Sequence, residues 1–245
     1  MGLRFSKIRL LETRQGSGPW NMGLDQALMS TVEDFVPVLR LYGWKPSAVS
    51  IGYFQSLEQE VNVKKCKELG IDVVRRITGG GAVLHENELT YSFITKIYPA
   101  NIIESYRSIC EPVVTCLHDL GFDGKFSPLN DITVENKKVS GNAQTRRNNV
   151  LLQHGTILLD VNVDKMFSVL KVPSEKIKDK IIQDVKERVM GLKVSYDEVA
   201  NKLWRSFGQK FQAEVFKDDV KSDESIEAKI MQKYKYSTYE WNYKR

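Results

Sequence analysis

The 245-residue sequence has few cysteines and no long apolar run. Its three cysteines, Cys66, Cys110 and Cys116, are too few for a disulfide framework, and an odd number fits a reducing compartment better than secretion. No apolar stretch approaches the roughly 20 residues that a membrane span requires, and the basic N-terminus lacks the apolar core of a signal peptide. We therefore expect a cytoplasmic protein that has no membrane partner.

Common nucleotide-binding and hydrolase motifs are also missing. The sequence contains no G-x-x-x-x-G-K-[ST] loop, no G-x-G-x-x-G after a predicted strand and no G-x-S-x-G elbow. It therefore gives no support to a P-loop NTPase, a Rossmann dehydrogenase or an α/β-hydrolase. The histidines His85, His118 and His154 form no metal-ligand spacing with the cysteines, so no zinc site is predicted.

Neither sign of charge dominates the sequence. The 36 Lys and Arg residues against 31 Asp and Glu residues leave a formal net charge of +5. This mild excess favours an anionic ligand but is not the footprint of a nucleic-acid-binding protein, so no nucleic-acid partner is expected. No repeat and no Pro/Ser-rich linker divides the chain. We treat residues 1–245 as a single domain, in which residues 163–245 form a helix-rich, lysine-rich flank.

Apolar periodicity predicts strands through the first two-thirds of the chain and helices mainly after it. Strands are predicted at residues 7–11, 38–43, 48–52, 73–76, 82–85, 90–96, 132–134, 137–143 and 150–160. Helices are predicted at residues 102–120, 164–170, 174–182 and 195–210, and Cys66 is expected on a further lysine-rich helix. Glu135 and Asn136 are typical of a tight hairpin turn, so the strands on either side should be antiparallel.

Three consecutive glycines follow one of these strands. The strand ends in Arg75 and Arg76, and the chain then passes through Thr78 to residues 79–81, all glycine. Glycines in series are costly unless something approaches the backbone closely. They leave backbone N–H groups free for an anion, and arginine suits phosphate. The segment predicts a loop that binds an elongated, anionic ligand; the alternative is a flexible turn beside a solvated basic pair.

A second cluster of candidate residues extends from Asn130 to Thr156. Lys138 begins a strand of small and neutral residues, so its ammonium group can point inward and face a phosphate or a developing oxyanion. Neighbouring strand residues face opposite sides, so Lys137 is expected in solvent. His154 has two interpretations, as a pocket residue or as a buried histidine with satisfied hydrogen bonds.

Three segments of the chain carry a family resemblance. RRITGGGAVLH at residues 75–85, NDITVENKKVSGNAQ at 130–144 and LLQHGTILL at 151–159 resemble the three sequence blocks of lipoate-protein ligases and their relatives in the biotin/lipoate ligase superfamily. Similar stretches lie at residues 21–25, 52–55, 187–189 and 239–242. The resemblance covers nearly the whole chain. It implies an α+β catalytic domain with a mixed, largely antiparallel sheet and flanking helices.

The resemblance also implies a reaction and its partners. Members of this family activate lipoate with ATP to lipoyl-AMP and then transfer the lipoyl group to one lysine of a lipoyl-carrier domain. The expected acceptors are the E2 component of 2-oxoacid dehydrogenases or the glycine cleavage H protein. ATP and Mg²⁺ are the expected cofactors, with lipoate as the substrate. The leading interpretation is the catalytic subunit of such a ligase.

Site residues are carried over by position. Lys138 matches the family lysine that contacts the α-phosphate and the acyl carbonyl, and is the expected catalytic residue. Asp131 is a candidate ligand for Mg²⁺. The expected binding set for ATP and lipoyl-AMP is Arg75, Arg76, Thr78, Gly79, Gly80, Gly81, Ala82, Val83, His85, Asn130, Asp131, Lys138, Ser140, Gly141, Ala143, Gln144, His154, Gly155 and Thr156.

Two departures from the family pattern leave alternatives open. Residues 86–93, ENELTYSF, resemble the octanoyltransferase branch, which transfers octanoyl through a cysteine thioester without ATP, yet SPLND at 127–131 has no cysteine where that branch carries its nucleophile. The alternatives are thus an ATP-independent octanoyl or lipoyl transferase, and a non-catalytic lipoyl- or nucleotide-binding homologue. The chain also ends soon after residue 242, where bacterial ligases continue into a small domain. It therefore resembles the short archaeal-type catalytic subunit, with a separate accessory subunit expected for adenylation, although a trimmed chain would look the same.

Overall fold

The computed structural model describes residues 3–172 and 178–244, with only the backbone of Lys178. The strands are β1 (Lys7–Gly16), β2 (Val38–Trp44), β3 (Ala48–Ile51), β4 (Asp72–Arg75), β5 (Val83–His85), β6 (Glu88–Thr95), β7 (Gly124–Ser127), β8 (Asp131–Val134), β9 (Lys137–Arg147), β10 (Val150–Leu158) and β11 (Glu214–Asp218). The helices are α1 (Gly18–Thr31), α2 (Leu57–Glu60), α3 (Val63–Glu68), α4 (Ile102–Asp119), α5 (Val163–Val169), α6 (Lys178–Arg188), α7 (Tyr196–Phe211), α8 (Ser222–Met231), a π-helix (Gln232–Tyr236) and α9 (Tyr239–Asn242).

These strands form a large mixed sheet and a small one. The eight-stranded sheet has the order β11-β1-β2-β6-β10-β9-β8-β7, and the three-stranded sheet has the order β4-β3-β5. β1 runs parallel to β11 and β2, whereas every other neighbouring pair in the large sheet is antiparallel. The predicted α+β fold with a mixed, largely antiparallel sheet is therefore confirmed.

Helices cover both faces of the large sheet. Along β6, the alternate residues Leu89, Tyr91 and Phe93 pack in the cluster that includes α4 and α7, while Ile94 packs in the cluster that includes α1 and α8. Successive strand side chains point to opposite faces, so these two apolar clusters lie on opposite sides of the sheet. No helix in the described ranges is long and apolar enough to cross a membrane.

The hairpin and the helices show where the sequence pattern was informative. Glu135 and Asn136 have φ values of 51° and 63° between antiparallel β8 and β9, as the predicted turn requires. Ser195 caps α7 by accepting the N–H of Glu198. The helix predicted at 174–182 begins in residues 173–177, which lie outside the described residues, and α6 continues beyond its predicted end to Arg188.

Helix α1 was not predicted, because its apolar residues do not form a single stripe. The helix is buried on several sides, against the sheet and against α8. A Cβ atom at Gly23 would come within 2.8 Å of the backbone oxygen of Ala228 in α8. The absence of a Cβ atom at Gly23 therefore permits this close contact with α8. The face of α1 toward the sheet carries the polar residues described below.

Candidate active site

A cavity of about 320 Å³ is lined by residues from both sheets. The predicted site residues that line it are Arg76, Gly80, Gly81, Ala82, Val83, His85, Asn130, Lys138, Gly141, Ala143, His154, Gly155 and Thr156. Further lining residues include the apolar Leu84, Leu158, Val161, Met166 and Val189. A largely apolar cavity of this size with a few polar groups is typical of a small-molecule site, and its apolar wall suits a hydrocarbon chain.

The glycine loop forms one wall of the cavity by close backbone contact. A Cβ atom at Gly52 would overlap the carbonyl oxygen of Gly80, and Gly80 itself has a φ of 96°, which favours glycine. The Arg76 guanidinium donates to the carbonyl oxygens of Gly79 at 2.7 Å and Gly81 at 2.7 Å. Burial lowers the pKa of Arg76 to about 10, which leaves it charged at neutral pH. Arg76 therefore fixes the loop while it also faces the cavity.

Arg75, the neighbouring arginine, does not line the cavity. Its side chain donates to the backbone oxygens of Gly52, Gln55, Trp241 and Asn242, and its N–H donates to the Asn242 side chain at 2.7 Å. These bonds attach the end of the described chain to β4, beside the glycine loop. The geometry gives Arg75 a structural position, and its predicted contact with a ligand stays a prediction. It also shows that residues 239–242 support the site.

Lys138 reaches the cavity with the help of a shift in strand register and a glycine. The pairing of β8 with β9 is irregular between Ile132 and Thr133, beside Lys138, and such bulges redirect side chains. The Lys138 side chain lies over Gly141, where a Cβ atom would come within 2.8 Å of Lys138 Cε. Its Nζ atom lies 2.8 Å from Asp131 Oδ1, and both side chains are more than one-third exposed. An exposed pair of this kind contributes about 0–1 kcal/mol, so the ammonium group is available to a stronger anion.

Several other predicted residues do not line the cavity, although Thr78 and Asp131 contact residues that do. Lys137, which was expected in solvent, is also outside it. Thr78 bonds His154, Asp131 pairs with Lys138, and the Gln144 side chain donates to Gln153 at 2.6 Å. The predicted residues that do not line the cavity are Arg75, Thr78, Gly79, Asp131, Ser140 and Gln144.

A buried ion pair beneath the cavity connects α1 to the sheet. Arg40 of β2 donates to Asp25 Oδ1 at 2.7 Å and to Asn21 Oδ1 at 2.6 Å. The other oxygen of Asp25 accepts from Ser92 at 2.7 Å and lies 3.3 Å from His154 Nδ1. Burial alone would raise the pKa of Asp25, but the Arg40 charge and the bond to His154 outweigh it and hold that pKa below its usual value. Asp25 is therefore a carboxylate.

His154 extends this network to the glycine loop. Its Nδ1–H faces the Asp25 carboxylate, so Nε2 accepts from the Thr78 hydroxyl at 2.7 Å. Burial outweighs the attraction of Asp25 and lowers the pKa of His154, which keeps the imidazole neutral at neutral pH. Both interpretations of His154 hold, because it lines the cavity and is also a buried, hydrogen-bonded histidine.

A second hydrogen-bonded chain in the wall was not predicted as a unit. Ser50 Oγ lies 2.7 Å from His85 Nε2, and His85 Nδ1 lies 2.7 Å from Glu88 Oε1. All three side chains line the cavity. The His85 ring stacks on Trp44, with the ring centroids 4.0 Å apart. Ser50 and Trp44 lie outside the recognised sequence blocks, and only the pairing of strands brings them to His85.

None of the three cysteines, all of which lie in the described part of the chain, lines the cavity. Each is buried, Cys66 in α3 and the other two on the buried side of α4. Burial raises the pKa of Cys66 to about 11 and that of Cys110 and Cys116 to about 12. Thiols in this state are poor nucleophiles, because the thiolate is the reactive form.

Comparison with known proteins identifies the family of the chain. Residues 17–212 match the model of the lipoyl protein ligase A/B catalytic domain. The chain belongs to this family. It is therefore an enzyme of the lipoate ligase and octanoyltransferase group, as the three sequence blocks predicted.

Curated and solved relatives of this family differ in the activity that their names state. Octanoyltransferase LipM from Kyrpidia tusciae is 36% identical over 97% of this chain and 98% of that protein, and LipM from Bacillus subtilis is 32% identical over 97% and 98%. A bi-partite lipoate protein ligase from Thermoplasma acidophilum, solved in a study with its E2 lipoyl domain, is 35% identical with a TM-score of 0.90, over 98% of this chain and 96% of that chain. Lipoate-protein ligase A bound with ATP is 33% identical with a TM-score of 0.84, over 99% and 98%.

The contact between Gly52 and Gly80 can be tested with two alanine variants. In Gly52→Ala the added methyl group meets backbone, so we expect a loss of about 1–3 kcal/mol in the free energy of unfolding. Gly79→Ala is the matched control, because a Cβ atom there meets nothing within 4 Å. Denaturant unfolding followed by circular dichroism measures both, and equal stability of the two variants would contradict the close contact.

Proposed function

We propose that this chain transfers a lipoyl or octanoyl group to a lysine of a lipoyl-carrier domain. The observation that carries the proposal is the shape and charge of one cavity, with an apolar wall for the acyl chain and the Lys138 ammonium group at its edge. Negative charge develops on the acyl carbonyl oxygen when an amine attacks it, and a fixed positive group favours that transition state. The E2 lipoyl domain that accompanies the archaeal neighbour supports this class of acceptor.

Two acyl donors are compatible with this transfer. The names of the curated relatives favour an octanoyl thioester and no ATP, which was the alternative at the level of sequence. The ATP-bound neighbour and the three buried, high-pKa cysteines favour lipoyl-AMP, the leading interpretation of the sequence. The relatives' names carry more weight for the thioester. Because no cysteine lines the cavity, that route requires either direct transfer to the acceptor lysine or a nucleophile other than cysteine.

For the lipoyl-AMP route, we propose that Mg²⁺ enters the cavity together with ATP as one nucleotide complex. Among the described residues no group of three or more His, Cys, Asp or Glu side chains could hold a metal ion. Mg²⁺ bound with nucleotides commonly uses one or two carboxylates together with phosphate oxygens, and Asp131 beside Lys138 offers one. We propose that Asp131 contacts such an ion only when ATP is bound. The bi-partite archaeal neighbour likewise supports the proposal that a second polypeptide assists adenylation.

A donor comparison tests the proposed function. The chain is incubated with a lipoyl domain and either lipoate and ATP or octanoyl acyl carrier protein, and intact mass reports acylation of the acceptor lysine. The first mixture is repeated with a candidate accessory polypeptide. We expect acylation from at least one donor, and expect the Cys66→Ala, Cys110→Ala and Cys116→Ala triple variant to retain it, because no thiol lines the cavity. Failure with every donor would overturn the function, and an acyl adduct on a cysteine, lost together with transfer in the variant, would restore the cysteine route.

Lys138 can be tested against its neighbour on β9. Lys138→Ala removes a positive donor that acts in the transition state, and we expect the transfer rate to fall by roughly 10²–10³-fold. Lys137→Ala is the matched control, since Lys137 does not line the cavity, and it should retain most activity. Single-turnover acylation of the lipoyl domain measures both, and equal losses in the two variants would remove Lys138 from its proposed role.

A further inference from the structure

The hydrogen-bonded chain Ser50–His85–Glu88 has the geometry of an activated nucleophile. Its two hydrogen-bond distances are both 2.7 Å, and they join Ser50 Oγ to one ring nitrogen of His85 and Glu88 Oε1 to the other. The carboxylate accepts the Nδ1–H, so the lone pair of Nε2 faces the serine hydroxyl. Serine is activated in this way when a base lies within hydrogen-bond reach and a third group orients the base.

The surroundings of Ser50 favour a developing negative charge on its oxygen. Arg76 Nη1 donates to Ser50 Oγ at 3.0 Å, so a buried positive charge lies beside the atom that would become an alkoxide. Thr90 donates to the Glu88 oxygen that His85 also uses, at 2.7 Å. Stacking on Trp44 holds the ring plane of His85. The three groups are therefore held in place before any ligand enters.

The position of the chain connects it to acyl transfer. Ser50, His85 and Glu88 line the same cavity as Lys138 and the glycine loop. Ser50 is 1% exposed, so the cavity is the route by which a substrate would reach it. Within the described residues, no hydrogen bond occupies the backbone N–H groups of Gly80 and Gly81. These groups are available to a carbonyl oxygen in the cavity.

We propose that Ser50 is the nucleophile that accepts the acyl group from a thioester donor, with His85 as its base and Glu88 as the residue that positions His85. Ser50 Oγ attacks the thioester carbonyl carbon while its proton passes to His85 Nε2. The C–S bond breaks, and His85 returns the proton to the departing thiolate, which leaves an acyl ester on Ser50 and a free thiol. The acceptor lysine amine then attacks the ester, and its proton passes through His85 to Ser50 Oγ.

This inference rests on the proposed transfer to a lipoyl domain and deepens it. It supplies the nucleophile that the thioester route lacks when no cysteine lines the cavity. Residues 86–93 depart from the ligase pattern, and Glu88 lies among them. The proposal therefore gives this segment a role in the chemistry.

Trapping the acyl group on the wild-type chain tests the proposal. The chain is mixed with octanoyl acyl carrier protein in the absence of an acceptor, and peptide mass spectrometry locates any octanoyl group. We expect an adduct on Ser50 that resists neutral hydroxylamine, as an oxygen ester does, and that disappears when lipoyl domain is added. An adduct elsewhere, or no adduct on Ser50, overturns the serine route whichever donor supports lysine acylation. Loss of lysine acylation with every donor overturns the proposed function instead.

An octyl fluorophosphonate provides a second readout that needs neither donor nor acceptor. Attack by Ser50 Oγ on phosphorus expels fluoride and leaves a phosphonylated serine. We expect labelling of the wild-type chain at Ser50, none at that site in Ser50→Ala, and normal labelling in Ser206→Ala, the control for loss of a buried hydroxyl in α7. Labelling of Ser50→Ala at the wild-type rate would contradict the proposal.

The Glu88→Gln variant distinguishes a role of Glu88 in positioning His85 from a purely structural role. We expect the labelling rate at saturating probe to fall by roughly 10²–10⁴-fold, as when the residue that orients a catalytic histidine is neutralised. The probe concentration at half-maximal rate should stay within about twofold, since Glu88 acts through His85 and not on the probe. A change in that concentration with an unchanged maximal rate would assign Glu88 a structural role only.

Discussion

The buried Asp25–Arg40 ion pair is the contact on which the rest of the site depends. Two charges without water are costly unless their remaining hydrogen bonds are satisfied, and here Asn21 and His154 satisfy them from α1 and β10. Removing one partner of such a pair typically costs about 3–5 kcal/mol. Because His154 in turn bonds Thr78, the pair holds α1, the large sheet and the start of the glycine loop in one arrangement.

That arrangement produces a cavity whose parts differ in rigidity. Close backbone contact between Gly52 and Gly80 and the bonds from Arg76 fix the glycine wall. The Lys138 ammonium group, in contrast, forms an exposed ion pair with Asp131, so it can leave that partner for a substrate. In the transfer that we propose, this preformed wall orients the acyl chain and the Lys138 ammonium group meets the reacting carbonyl.

Sequence reasoning predicted the parts whose partners lie nearby in the chain. Nine of the strands and the Glu135–Asn136 turn follow from alternation and local backbone preference. The short strands β7 and β11 were not predicted, and α1 was missed because it is buried on several sides. The glycine loop and Lys138 were predicted as site residues from their motifs, and Gly80, Gly81 and Lys138 line the cavity. The structural position of Arg75 was not predicted, because its N–H donates a hydrogen bond to Asn242, 167 residues away. The pairing of β3 with β5 brings Ser50 to His85, and no spacing in the sequence indicates that contact.

The most direct test of the central claim is a crystal structure of the chain with the reaction product, a peptide that carries octanoylated lysine. A peptide that carries lipoylated lysine, the product of the lipoyl-AMP route, is the second ligand of the same experiment. The account predicts that the octanoyl chain lies in the cavity beside Gly80 and Gly81, with its carbonyl oxygen within hydrogen-bond distance of Lys138 Nζ. An acyl chain bound outside the cavity, or a carbonyl beyond the reach of Lys138, would contradict it.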